Sequence, residues 1–439
     1  MKYHIDTLGC QMNTADTQRL ASELEKLGGS AAASPEEAEV IVLNTCVVRQ
    51  SAEDKAHSWL HRISHHKRTQ RPDLVVGLMG CLVGVKGNAQ LGKTFPLVDV
   101  FLPPSDPTPL VQHLTAHYDR KQMTAAVGAR HQMQDGELVL PLAERGRLVS
   151  AHVPVVYGCS FGCTFCIIPF RRGIERSRLA HEVVSEVRSL AAQGVREVTL
   201  LGQIVDRYGE DRTDGANLAG LLRLMQDIDG IDRIRFLTSH PNFMTDELLA
   251  TVAELPKVCE NIEVPVQSGS DAVLANMQRG YTRADYSRLI ERIRKHMPHG
   301  SIACDVIVGF PGETAADYEQ TRSLLADLQL DTVHLAKYSA RAGTVSARRM
   351  PDTVSEDEKE TRRAALDEQQ AGILNVRNQD YVGKLAEVLV EDKQRGRWRG
   401  RTRTNKLVFF DDERDWRGQL ASVAISWAGP WHMRGAVCV

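Results

Sequence analysis

The chain has no long apolar run, no low-complexity tract and no short-period repeat. Each absence removes a class of protein. No stretch approaches the ~20 apolar residues that a membrane-spanning helix needs, so no membrane is expected. The opening Met1-Lys2-Tyr3-His4-Ile5-Asp6 lacks the apolar core of a secretory signal, and a cytoplasmic protein is expected. Net charge is −2 with 25% charged residues, so the chain is neither polyanion nor polycation. Any nucleic-acid surface must therefore be local. In a reducing compartment, clustered cysteines more often bind metal than form disulfides. At 439 residues there is room for two to four domains of roughly 150 residues each.

Cysteine is the informative residue. The segment Gly158-Cys159-Ser160-Phe161-Gly162-Cys163-Thr164-Phe165-Cys166 follows the apolar run Val153–Tyr157 directly. Its C-x3-C-x2-C spacing lets three thiolates reach one centre from a single loop. A zinc site would want a fourth Cys or His nearby. Cubane iron–sulfur clusters normally take four thiolates, so three leave one iron open to bind something else. A second trio is dispersed: Leu8-Gly9-Cys10, Asn44-Thr45-Cys46 and Met79-Gly80-Cys81 each close a short apolar segment. Those segments, Lys2–Leu8, Val40–Asn44 and Leu74–Met79, alternate with helical patterns at Asp16–Leu27 and Ala52–His65. Such alternation implies parallel strands with crossover helices. Strand C-termini of an open parallel sheet share one crevice, where ligands bind. Cys10, Cys46 and Cys81 should then meet at one edge. Burial of small residues is the alternative. Cys259 and Cys304 read as core residues, and Cys438 has no assigned role.

Six further strand candidates are Val153–Tyr157, Glu197–Leu201, Arg233–Thr238, Ile262–Val266, Ile302–Val308 and Thr332–Lys337. Helical segments separate them at Leu179–Gln193, Asn217–Ile228, Thr245–Leu255, Arg283–His296 and Thr314–Leu328. Six β/α units fall short of the eight of a closed barrel, which predicts a partial one with its site at the strand C-termini. Polar and glycine-bearing segments lie there: Gly202-Gln203, Ser239-His240-Pro241, Gln267-Ser268-Gly269-Ser270, Gly309-Phe310-Pro311-Gly312-Glu313 and Tyr338-Ser339. From about Asp119 to Ser150 the pattern dissolves into a polar linker with one hairpin. The charged helix Ser355–Gln379 precedes four short strands, Leu385–Val390, Lys406–Phe410, Leu420–Ile425 and Ala436–Val439, the makings of a small β-barrel. Within it Arg395, Arg397, Arg399, Arg401 and Arg403 repeat at period two beside Trp398. That places them on one strand face, suited to a phosphate backbone. Protection of an exposed edge is the alternative.

With these residues in hand, the whole chain resembles the methylthiotransferases of the radical S-adenosylmethionine (SAM) superfamily. The likeness rests on Gly9-Cys10-Gln11-Met12-Asn13, Asn44-Thr45-Cys46, Gly80-Cys81, the C-x3-C-x2-C loop, Gln267-Ser268-Gly269-Ser270 and Asp305-Val306-Ile307-Val308-Gly309-Phe310-Pro311-Gly312-Glu313. Cys10-Gln11-Met12-Asn13, Leu200-Leu201-Gly202-Gln203 and Thr238-Ser239-His240-Pro241 resemble the branch acting on isopentenyl-type adenosine in tRNA, the MiaB type. Sibling branches act on threonylcarbamoyl adenosine or on a ribosomal-protein aspartate. Ile204-Val205-Asp206 departs from the asparagines that many relatives carry. A non-catalytic iron–sulfur RNA-binding protein is the reading from another class.

The resemblance implies an α/β chain of four parts. These are an N-terminal open parallel domain (1–118) carrying an auxiliary cluster, a linker (119–150), a partial (β/α)6 TIM-like radical SAM core (151–375) and a C-terminal TRAM β-barrel (376–439) that binds RNA. It implies a [4Fe-4S] cluster on Cys159, Cys163 and Cys166 whose open iron chelates SAM, and a second on Cys10, Cys46 and Cys81 that carries the sulfur. Reductive cleavage of SAM would give a 5′-deoxyadenosyl radical that takes hydrogen from carbon 2 of the adenine, and another SAM would supply the methyl. Gly202, Gln203, Ser239, Gln267, Ser268, Gly309 and Pro311 become candidate cofactor contacts. The implied partners are the tRNA anticodon stem-loop and an electron donor such as flavodoxin or ferredoxin, with the enzyme a monomer.

Overall fold

The structure is a computed structural model and describes residues 1–48, 50–87, 89–117 and 138–438. Most of the expected linker, with its hairpin, lies outside the described residues. Two compact units divide the chain. The first comprises Met1–Gly146, Ala151–Phe161 and Cys166–Gln193; the second comprises Arg147–Ser150, Gly162–Phe165 and Gly194–Val439.

In the first unit five parallel strands run in the order Ser30–Ala31, Lys2–Thr7, Val40–Thr45, Val75–Gly80, Val100–Leu102. Val40–Thr45 is central and buried along its whole length. Its unbroken apolar run is what a strand covered on both faces requires. Val40 and Val42 pack with Leu20 and Leu24 of the helix Gln11–Lys26 and with Leu110 and Leu114 of Thr108–His117. Ile41 and Leu43 point to the other face, against Trp59, Leu60 and Ile63 of Gln50–Thr69. The strands Ser30–Ala31 and Val100–Leu102 were too short to stand out in the sequence. Later in this unit the expected strand Val153–Tyr157 is split. Ser150–Pro154 ends at a proline, which cannot donate to a ladder, and Val156–Tyr157 pairs antiparallel with Arg176–Ser177.

In the second unit Glu197–Leu201 pairs in parallel with Arg233–Leu237, and Asn261–Glu263, Ser301–Val308 and Thr332–Lys337 form a second parallel set. The expected strand Ile262–Val266 is shorter than its apolar pattern suggested. Beyond Glu263 only one bridge, Gln267 to Val306, continues it. Helices lie between the strands, and two open on reciprocal capping boxes, Thr282 with Asp285 and Thr314 with Asp317. The T-x-x-D spacing satisfies two orphan backbone donors at once.

The helix Glu356–Gln379 leads into a closed five-stranded barrel: Leu385–Gln394, Arg397–Thr402, Leu407–Phe410, Met433–Val437 and Leu420–Ala428, which returns to the first. Val388, Val390, Trp398, Val408, Phe410, Val423, Ile425 and Met433 fill it. The fifth strand beside the four expected ones is Arg397–Thr402, the segment whose arginines repeat at period two. The chain is thus mixed α/β with a small closed β-barrel at its C-terminal end.

The small barrel is docked within the second unit on the N-terminal ends of the parallel strands. Arg233 donates to the Arg401 carbonyl (2.6 Å) and to Glu387 (2.9 Å), and Arg235 to the carbonyls of Arg403 (2.7 Å) and Thr402 (2.8 Å). Ser301 donates to the Thr404 carbonyl, and Lys406 pairs with Asp331 at 3.1 Å.

Candidate active site

The dispersed trio does converge. Cys10, Cys46 and Cys81 follow three adjacent parallel strands at the same sheet edge. Gly9 (φ 143°) lets the Cys10 turn lie against Cys46, since a β-carbon there would stand 2.8 Å from Cys46 Cβ. At Gly80 (φ 99°) a β-carbon would stand 2.5 Å from the Thr45 carbonyl. Close backbone approach at positive φ is available to glycine alone at little cost. Asn13 and Asn44 brace the edge: Asn13 Nδ2 donates to Asn44 Oδ1 (2.9 Å) and the Thr45 carbonyl (2.8 Å), and Asn44 Nδ2 donates to the Asn13 carbonyl (2.8 Å). Cys46 and Cys81 are buried, while Cys10 is exposed as the N-cap of Gln11–Lys26. Burial pushes the Cys81 thiol up to about 11; Arg172 pulls it down, and Cys46 and Cys10 push it further up. The three thiols therefore share one electrostatic field.

Arg172 ends the short helix Ile168–Arg172, six residues beyond Cys166. It is buried, its Nη2 donating to Asp16 at 2.9 Å and facing Asn13 Oδ1 at 3.4 Å. That same Asn13 oxygen accepts from the Cys10 thiol at 3.4 Å.

The chain divides within the C-x3-C-x2-C loop. Cys159 and Cys166 belong to the first unit, where the Phe161 amide donates to Cys159 Sγ at 3.4 Å and the Cys159 amide to the Gly173 carbonyl. Cys163 belongs to the second, where Arg279 Nη1 donates to its Sγ at 3.0 Å. Arg279 is itself held by Tyr281, whose hydroxyl donates to the Val266 carbonyl. Among the described residues no cysteine is in a disulfide. Among the described residues no group of three or more His, Cys, Asp or Glu is placed to hold a single metal ion. Soft thiolate sets suit a larger iron–sulfur group, which takes its thiolates on separate irons.

The strand C-termini of the second unit carry unmet polar capacity. Ser239 Oγ and Gln267 Oε1 are buried without a hydrogen-bond partner. Thr238 (φ 67°) and Gln267 (φ 72°) hold left-handed backbone conformations that non-glycine residues adopt at a cost. His240 is pushed down to about 3 by burial and by Arg279 and Arg207, so its imidazole is neutral at physiological pH. Glu263 is pushed up to about 7 by burial and by Asp305.

Gly202 is buried and Gln203 half-buried at the end of Glu197–Leu201. Asp206, in the departing Ile204-Val205-Asp206 segment, accepts the His240 amide at 3.0 Å, while the Val205 amide donates to the Thr238 carbonyl. The segment thus ties one strand end to the next. Ser268 is placed differently from a ligand contact. It is fully buried, and its hydroxyl meets Thr321 and the Ser270 amide, so it shapes its own loop. Gly309 and Pro311 lie in a turn whose Gly309 amide donates to Glu313, itself paired with Arg362 at 2.7 Å.

The arginine row is only partly a shared face. Arg397, Arg399 and Arg401 alternate with buried Trp398, Gly400 and Thr402. Arg397 faces Asp411 (3.4 Å), Arg399 faces Asp392 (2.9 Å), and Arg401 faces Glu391 (3.2 Å). Arg395 sits at positive φ in the turn before this strand. Arg403 lies beyond the strand's end and corrects the expectation of a common face. It turns into the unit to meet Glu260 (2.9 Å) and the carbonyls of Pro256 and Val258. Cross-strand carboxylates were invisible to a reading that looked only along the basic run.

Comparison with known proteins shows the family. The chain is 45% identical over 99% of its length to the tRNA-2-methylthio-N(6)-dimethylallyladenosine synthase of Roseiflexus sp. (strain RS-1), covering 89% of that protein. It is 42% identical to the enzyme of the same name from Herpetosiphon aurantiacus, covering 97% of it. The chain belongs to this synthase family. Residues 153–325 match the radical SAM superfamily and residues 2–103 match the uncharacterized protein family UPF0004. Among solved structures, the radical SAM methyltransferase TsrM from Kitasatospora setae, with cobalamin and a [4Fe-4S] cluster bound, aligns over 79% of this chain and 76% of its own. Its TM-score is 0.56 at 16% identity, a likeness of fold alone. For a synthase of this family, sequence reasoning missed Arg172 and Arg279. Arg172 carried a faint signal, lying just after the cysteine loop in Pro169-Phe170-Arg171-Arg172; Arg279 carried none.

Proposed function

We propose that this synthase inserts sulfur at carbon 2 of the N(6)-dimethylallyl-type adenosine beside the tRNA anticodon and methylates it, using SAM and two [4Fe-4S] clusters. The observation that carries the reading is the meeting of Cys10, Cys46 and Cys81 at one sheet edge, in a chain that also holds a C-x3-C-x2-C loop. Two thiolate trios are what two separable steps require. When bound, the clusters supply the electron that cleaves SAM to methionine and a 5′-deoxyadenosyl radical, and the sulfur that is inserted.

The chain's own residues do the rest. Cys159, Cys163 and Cys166 hold the first group, and Cys10, Cys46 and Cys81 the second. Ser239 Oγ and Gln267 Oε1, buried and unpartnered, offer polar atoms to SAM on the strand-end rim. His240 remains neutral there and sets no second cation beside a sulfonium. The parallel strands from Glu197 to Lys337 serve as the greater part of a partial (β/α)6 barrel, and the C-terminal barrel as a TRAM-type module for the anticodon stem-loop. The enzyme would work as a cytoplasmic monomer fed electrons by a flavodoxin or ferredoxin. Among the described residues no helix is long and apolar enough to cross a membrane.

The test is anaerobic reconstitution. About eight irons are expected from two cubanes, and about half should remain when Cys159, Cys163 and Cys166 are changed together to Ala. With Cys10, Cys46 and Cys81 replaced instead, 5′-deoxyadenosine should still form while tRNA gains no methylthio group. Full iron in the first variant, or no SAM cleavage in a folded second one, overturns the assignment.

A further inference from the structure

Arg172 is a buried cation with more capacity than its one carboxylate partner uses. Asp16 takes Nη2 at 2.9 Å, Ser105 Oγ lies 3.3 Å from Nη1, and Nε has no partner. Both members of the Arg172–Asp16 pair are almost fully shielded, at 3% and 0% side-chain exposure. A single such pair is neutral overall, and keeping it dry costs several kcal/mol of desolvation. A further anion beside it would recover part of that cost. The cysteine edge is where that anion would sit, as the cluster held there. Asn13 completes the link, its Oδ1 lying 3.4 Å from both Cys10 Sγ and Arg172 Nη2.

We propose that Arg172 is the positioning residue of the Cys10–Cys46–Cys81 centre, a fixed buried cation that orients its thiolates and raises the reduction potential of the anionic cluster they hold. The proposal rests on the assignment of a cluster to that trio. A cubane held by three thiolates is an anion and gains a further negative charge when reduced, so a nearby positive charge favours the reduced state. Charge and hydrogen bonds near the sulfurs are among the terms that set such potentials. Arg suits the task because it stays protonated even when buried and its fork can serve Asp16 and a sulfur together. Asp16 then opposes it: removing Asp16 should do the reverse of removing Arg172.

The test uses the full chain with Cys159, Cys163 and Cys166 changed to Ala, so that any cubane present sits on the other trio. This parent is reconstituted and titrated with dithionite under anaerobic conditions, with electron paramagnetic resonance as the readout. Into it go Arg172→Gln, Arg172→Lys and Asp16→Asn separately. The expected result is a shift to more negative potential for Arg172→Gln, a smaller one for Arg172→Lys, and a shift to more positive potential for Asp16→Asn. Unchanged potentials in variants that keep their iron overturn the proposal. If Arg172→Gln holds no iron, Asp16→Asn decides alone: a positive shift supports the role and none removes it. If neither holds iron, the two residues form only a structural pair and the proposal fails. A parent without iron would instead refute the cluster assignment on which the proposal rests.

Discussion

At the N-terminal ends of the second unit's parallel strands, Arg233, Arg235, Ser301 and Asp331 meet carbonyls and charged partners of the small barrel; at the C-terminal ends, Ser239 and Gln267 present buried polar atoms to nothing. The same strands thus carry an end tied to the small barrel, where only part of the Arg233 guanidinium, its Nε, is left over, and an end whose Ser239 and Gln267 side-chain oxygens meet nothing. Buried polar atoms are normally paired, and an orphan costs about 1–3 kcal/mol. Strain gathers at the same end, where Thr238 and Gln267 hold positive φ. The difference separates work: one end is built for stability, and the other keeps polar capacity for a ligand.

The largest test strikes the end tied to the small barrel. Arg235 pairs with Glu197 at 2.9 Å with both side chains nearly inaccessible, and it also holds two carbonyls. Arg235→Met should cost about 3–5 kcal/mol in denaturant unfolding, because Glu197 is left charged and dry. Glu197→Gln in the same chain should recover part of the loss. A cost below about 1 kcal/mol would break the comparison.

Next comes a carboxyl inside the strand set. The fold holds Glu263 protonated up to about 7, against 4.5 for a free group. Between those values the folded state binds more protons than the unfolded one, so stability falls as pH rises from about 4.5 to about 7. Above that window Glu263→Gln should stabilise by about 1–3 kcal/mol, one pKa unit being worth roughly 1.4 kcal/mol. Below pH 4 the variant and the parent should unfold alike. Thermal melts at pH 4 and pH 8 measure both.

A smaller effect should mark the strained end. Gln267→Gly relieves a left-handed residue and should raise stability by about 0.5–1 kcal/mol. SAM affinity should drop by about tenfold or more in the same protein, on the order of one lost hydrogen bond. A stabilised variant with unchanged SAM binding would remove Gln267 from the rim's function. The smallest effect is expected from Arg397, Arg399 and Arg401. Each already faces a carboxylate, so their joint change to Ala should flatten the salt dependence of tRNA binding by about one unit of slope rather than three. Filter binding across salt concentrations reads it.

Much of this was legible because it is local or periodic. The helix Arg283–His296 could be read to the residue, since its capping box and 3.6-residue stripe lie in contiguous sequence. The meeting of Cys10, Cys46 and Cys81 followed from strand grammar, because parallel strands share an edge by topology. What escaped depends on partners distant in sequence. Glu260 sits 143 residues from Arg403 and decides that this arginine turns inward. Arg279 reaches Cys163 across 116 residues, and Arg172 reaches Asp16 across 156. A lone arginine has no periodicity to betray its neighbour.

The docking of the small barrel also bears on how such a chain tolerates change. The acceptors for Arg233, Arg235 and Arg403 include the main-chain carbonyls of residues 401, 402, 403, 256 and 258. Every residue type supplies the same carbonyl, so side chains at several of these positions can drift while the acceptor stays. The donors have no such freedom, because lysine cannot reproduce the guanidinium fork. The seam is therefore written in its donors, Arg233 and Arg235 on the strand side and Arg403 on the barrel side. A terminal barrel grafted from a distant relative should dock here wherever its backbone follows the same path and it keeps the arginine at 403.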